Sequence, residues 1–151
     1  MDNWTNAYIG KEHTTTYDCA ELCMEVQREH YKRVVNVPNS RVHYERGNNY
    51  NNTIENYVYS LFDKVEVPED GDIVLMANGR MLNHVGVFVV LNGAKYVLHN
   101  LERIGTILQK VKDVHKYTLT VQGYYRLKDE SGTLKEENGT ECKDEEPAIS
   151  I

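Results

Sequence analysis

Cys19 and Cys23 stand four residues apart in "YDCAELC", and His84 and His99 stand fifteen apart in "HVGVFVV" and "YVLHN". A thiol becomes a nucleophile when a base takes its proton and a third polar group orients that base. One cysteine and two histidines supply those three roles. The same four residues also have the ligand types of a Cys2His2 zinc site, although their histidine spacing is far from the usual three to five. The cysteine pair alone further admits half of a disulfide framework or two small core residues.

What separates these readings is where the local structure must put each side chain. Asp18 is a helix N-cap residue, and "CAELCMEVQREHYKR" after it lacks Gly and Pro, with acids early and bases late, as the helix dipole favours. A helix is therefore expected over residues 19 to 33. Cys19, Cys23, Val26 and His30 share one side of it, which should face the core. Cys19 falls in the first turn, where the dipole favours thiolate; Cys23, a turn further in, reads as a small buried residue.

Residues 36 to 51 read as a loop, and "TIENYVYSLFDKV" as a second helix capped by Asn52 or Thr53. Strand signals follow. "VPEDGD" is a turn, "IVLMA" a short apolar run, and "HVGVFVVL" and "YVLHNL" flank an Asn-Gly turn, the signature of a hairpin. Pairing through Asn92 and Gly93 sets residue 84 opposite about residue 101, so His99 becomes a near-diagonal neighbour of His84. "TILQKV" and "LTVQGYYRL" extend the sheet. Helices first and an antiparallel sheet afterwards define an α+β chain. His13, His30, His43 and His115 read as structural histidines.

The 151 residues suit one domain with its own core, and 40% hydrophobic with 26% charged residues is a globular composition. Eleven tyrosines against two phenylalanines imply aromatic surface that stays partly wet. From Lys128 onward there are eight acids against three bases, which is five of the six net negative charges, and no apolar period. The expected organisation is a domain over 1 to 127 and an acidic, disordered tail over 128 to 151 carrying an exposed Cys142. No basic stripe is present for nucleic acid. The start, "MDNWTNAYIG", has neither a basic nor an apolar leader region, so no signal peptide and no membrane insertion are expected. Three cysteines, an odd number, argue for free thiols.

"YDCAEL", "GDIVLM", "NHVGVFV" and "YVLHN" in this order resemble the NlpC/P60 family of papain-like cysteine hydrolases. In that family an aromatic-Asp-Cys segment opens a helix, a Gly-Asp turn leads into a strand, a His-Val-Gly strand carries the base, and the next strand ends in a histidine. The resemblance implies that fold, with Cys19 as nucleophile, His84 as general base and His99 as the group that orients it. "WTNAYIG" resembles the segment whose tyrosine helps form the oxyanion site, which makes Tyr8 a participant beside the backbone N–H of Cys19. Gly86, two residues after the base, is expected to leave room for the helix or the substrate. Ala20 and Glu21 depart from the small Ser-Gly pair usual after the cysteine, and Gly10 stands alone where two glycines are common.

The resemblance implies hydrolysis of amide bonds in bacterial peptidoglycan stem peptides through an acyl-enzyme, with no cofactor and no metal. A short form without a leader is similar to phage members attached to tails, so other tail proteins are expected partners. The expected location is the virion tail, or the bacterial cytoplasm before assembly. Two alternatives remain: a catalytically silent tail or adaptor protein on the same fold, and an intracellular amidase or acyltransferase.

Overall fold

The computed structural model describes residues 3–35, 50–79 and 81–128. A 3-10 turn at Trp4–Ala7 (η1) leads to helix α1, Cys19–Glu29, and helix α2 spans Tyr50–Leu61. The strands are β1 Phe62–Val65, β2 Ile73–Asn78, β3 Met81–Leu91, β4 Ala94–Leu101, β5 Gly105–Lys110 and β6 Leu119–Leu127, with a second 3-10 segment, η2 Val111–Tyr117, before β6. All pairings are antiparallel and the order is β1-β6-β2-β3-β4-β5. The chain is thus α+β, as its pattern implied.

The sheet is covered on both faces. On one, Cys19, Leu22, Cys23 and Val26 of α1 and Ile54 and Val58 of α2 pack on Ile73, Leu75, Val85, Val87, Val89 and Leu98. On the other, Val74, Met76, Phe88, Val97, Leu101 and Leu119 pack with Val114 of η2. Strand alternation explains the split, because neighbours along β2, β3 and β4 point to opposite faces. Burial on both sides also explains why "HVGVFVVL" is a continuous apolar run rather than an alternating one.

Three boundaries differ from expectation. α1 stops at Glu29 with His30 as C-cap, and Lys32 adopts φ 60°, so the chain turns away four residues before the expected end at 33. α2 begins at Tyr50, which puts Asn52 and Thr53 inside the helix rather than at its cap. It also ends at Leu61, because Phe62–Val65 leaves to pair with β6, Phe62 opposite Leu127 and Val65 opposite Tyr124. Lys128 N–H then donates to the carbonyl of Leu61 at 3.0 Å, closing the sheet. Of the loop expected over 36–51, Tyr50 and Asn51 fall in α2 and the rest lies outside the described residues, as does the expected acidic tail after Lys128, with Cys142.

The hairpin forms as read. Leu91 pairs with Ala94 across Asn92 (φ 52°) and Gly93 (φ 80°), the left-handed pair that a tight turn between twisted strands requires. Val87 faces Leu98, and this register carries His84 to the level of Leu101, with His99 diagonal to it. Between Met76↔His84 and Asn78↔Met81 the register slips, leaving one extra residue on β3 just before His84. Such bulges bend a strand and re-aim the side chains beside them.

Candidate active site

Asp18 caps α1 as predicted: its Oδ1 accepts from the N–H groups of Ala20 and Glu21, both at 3.1 Å. The donors are backbone groups, so this cap forms with alanine and glutamate at positions 20 and 21. Cys19 is therefore the first helical residue, buried at 4% exposure and outside any disulfide. Cys23 is buried too, and its thiol pKa is pushed well up, first by desolvation and then by Cys19 and Asp18. The two cysteines are unequal, with Cys23 an inert core residue.

α1 runs along β3, and its direction can be followed from contacts at its two ends. Gln27 Nε2 donates to the carbonyl of Gly71 at 2.9 Å, and Gly71 N–H in turn donates to the carbonyl of Phe88 at 2.8 Å, so the C-terminal half of α1 lies beside Phe88. At the other end Ala20, Cys23 and Met24 line an apolar cavity with Val85, Ile54 and Phe62. The N-terminal half of α1, which begins with Cys19, thus packs near Val85 of β3, on the sheet face opposite the His84 side chain.

At this end of β3 the two histidines meet. His84 Nε2 lies 2.9 Å from His99 Nδ1, with both rings buried. Alternation puts them with Phe88 and Val97 on the η2 face, while Val85 and Leu98 face α1. Gly86 faces His99 across the strands, and a Cβ on it would lie 2.5 Å from Val97 Cγ2 and 3.0 Å from His99 Cβ. The glycine thus makes room for the second histidine, and not for the helix or a substrate as expected.

Burial holds both imidazoles neutral at ordinary pH. The pKa of His84 is lowered to about 3, by desolvation first and then by the charges of His99 and His13. His99 is lowered to about 4 by desolvation, partly countered by its bond to Gln109.

The expected role of Tyr8 does not survive. Its hydroxyl donates to Glu29 Oε1 at 2.8 Å, at the last residue of α1, whereas Cys19 is the first. Ten residues of helix separate the two ends by about 15 Å. Tyr8 is a buried clamp between the N-terminal segment and the helix, not an oxyanion donor. The Cys2His2 zinc alternative also loses ground, since the histidine nitrogens that face each other are bonded together. Among the described residues no group of three or more His, Cys, Asp or Glu is placed to hold a metal.

Two residues that the sequence did not mark stand at the same strand end. Asn100 Nδ2 donates to Thr106 Oγ1 at 3.0 Å and to the carbonyl of Lys11 at 3.3 Å, which leaves its Oδ1 to accept from His13 Nδ1 at 2.7 Å. His13, read as merely structural, is half-buried there and close enough for its charge to oppose protonation of His84. Only its position six residues before Cys19 hinted at this.

No helix among the described residues is long and apolar enough to cross a membrane. No family model, curated protein or solved structure matches the chain.

Proposed function

We propose that the chain is a cysteine peptidase acting through Cys19, His84 and His99. The observation that carries this reading is the buried, hydrogen-bonded imidazole pair on the strands against which α1, a helix that begins with a cysteine, is packed. In the reaction, Cys19 Sγ attacks the carbonyl carbon while its proton passes to Nδ1 of His84. That proton then goes to the departing amine, leaving an acyl-enzyme. Water, deprotonated by the same nitrogen, releases the acid and restores the thiol. With Tyr8 committed elsewhere, the positive end of α1 meets the developing oxyanion.

The geometry sets one condition. The cysteine lies in the layer under α1 and the imidazoles alternate toward the other face, so this reading requires thiol and base to meet around the end of β3, where the bulge before His84 re-aims the strand. Neutral histidines imply a thiol activated by a general base rather than a standing thiolate–imidazolium pair.

The substrate we propose is the amide bond of peptidoglycan stem peptides, opened by a phage tail-associated enzyme. Its support is the order of the four motifs. Muropeptide digestion with wild type and Cys19→Ala tests it: cleavage by wild type alone is expected, and equal cleavage by both ends the proposal. Iodoacetamide should label Cys19 faster than Cys142 below pH ~8.5, the ordinary thiol pKa. Equal rates would favour a silent scaffold.

A further inference from the structure

Beyond the two histidines, the hydrogen bonds continue to β5 and stop at a backbone carbonyl. Gln109 Nε2 lies 2.8 Å from the carbonyl oxygen of Asp113, and its Oε1 lies 3.1 Å from His99 Nε2. A carbonyl oxygen only accepts, so the amide must turn its NH2 group to Asp113. Its oxygen therefore faces His99, and an amide oxygen also only accepts. His99 must then carry its proton on Nε2, which leaves Nδ1 with a bare lone pair. That lone pair takes the hydrogen bond at 2.9 Å from His84, so His84 is protonated on Nε2 as well. The nitrogen left bare on His84 is Nδ1.

We propose that Gln109 is a positioning residue that sets the proton on both histidines, anchored by the Asp113 carbonyl, so that His84 keeps Nδ1 as the basic nitrogen. The opposite arrangement would require a flipped amide, with Oε1 against the Asp113 oxygen and both groups unable to donate. In it His99 would carry Nδ1–H, His84 would accept at Nε2, and its Nδ1 would hold a proton and could not serve as a base. Burial keeps both rings neutral, so one proton per ring is the state that needs to be specified.

The chain of bonds orients and does not conduct. When Cys19 gives its proton to Nδ1, His84 becomes an imidazolium that still donates from Nε2 to His99. His99 can share that proton at Nδ1 and keep its own Nε2–H, but beyond it stands only an amide oxygen, which is too weakly basic to take a proton onward. The proton therefore stays within the histidine pair until the amine leaves. This deepens the peptidase reading and rests on it for its catalytic meaning, while the proton positions themselves do not.

The test separates the two. Ring-nitrogen NMR of the 15N-histidine-labelled full chain near pH 7 should show His84 and His99 both as Nε2–H tautomers. In Gln109→Leu, His99 should lose that single form, and Cys19 alkylation should fall about a hundredfold, the low end of what a general base contributes. Gln109→Glu keeps an acceptor for His99, so it should restore the Nε2–H form and move the pH at which the pair titrates upward. A purely structural role would move neither tautomer nor titration. Nδ1–H on either ring of wild type, or unchanged tautomers in Gln109→Leu, overturns the proposal even if the enzyme is active. Correct tautomers in a protein that cleaves nothing would leave it standing and remove only the peptidase reading.

Discussion

At the scale of single residues, Gly86 does more than its type suggests. Its missing side chain is what allows Val97 and His99 to pack so closely beside β3. Gly86→Ala brings a Cβ within 2.5 Å of Val97 Cγ2, and overpacking of this kind costs about 1–3 kcal/mol. Urea melts should show that loss, and the His84 and His99 ring signals should report a lengthened bond. Residue types alone marked Cys19, His84 and His99, because the Asn-Gly turn fixes a register and the register brings two histidines together. They could not mark Gln109, whose partner Asp113 is a backbone oxygen and carries no signature in the side-chain alphabet. Tyr8 misled for the complementary reason: a motif names a residue but not its hydrogen-bond partner, and Glu29 claims that hydroxyl.

At the scale of elements, the start of α1 determines where the thiol sits. Asp18→Ala removes the acceptor of two first-turn N–H groups and should cost about 1 kcal/mol, while Asp18→Asn should retain most of that stability, as thermal melts of the two variants will show. The alanine variant should also slow Cys19 alkylation, since a frayed first turn no longer aims the thiol. The extra residue on β3 before His84 belongs to this scale too. No run of residue types announced it, because a bulge arises from pairing with a partner strand. β1 was hidden for a similar reason: "FDKV" continues a helical stretch without Gly or Pro, and only β6, some sixty residues on, pulls it into the sheet.

For the molecule as a whole, the two buried histidines tie stability to acidity. Their folded pKa values, about 3 and about 4, lie below the ordinary 6.5. Between those limits the unfolded chain binds protons that the native state refuses, so stability is full above pH 6.5 and falls as the pH drops toward 4. The slope contributed by each ring approaches about 1.4 kcal/mol per pH unit. Denaturant titrations from pH 8 to pH 4 should show it, and His99→Gln should remove one ring's share. Asp72 supplies a second global tie. Its carboxylate, 2% exposed, accepts from Arg126 Nε at 3.0 Å and Nη2 at 2.8 Å and from Glu69 N–H at 2.7 Å, which joins the turn before β2 to β6. Arg126→Ala strands that carboxylate in the interior and should lower the melting temperature more than Lys11→Ala, whose partner Glu25 keeps its bond from Tyr17.

The place of β5 in the sheet has a kinetic consequence. The strands that hold His84 and His99 are interior ones, whereas Gln109 sits on an edge strand, near its C-terminal end. Edge segments open in native-state hydrogen exchange at lower free energy than the strands they flank. Amide protons around residue 109 should therefore exchange before those of β3 and β4. In mild denaturant, Cys19 reactivity should fade while far-UV ellipticity is still native: the thiol would be silenced from the rim of the sheet inward, with the fold intact behind it.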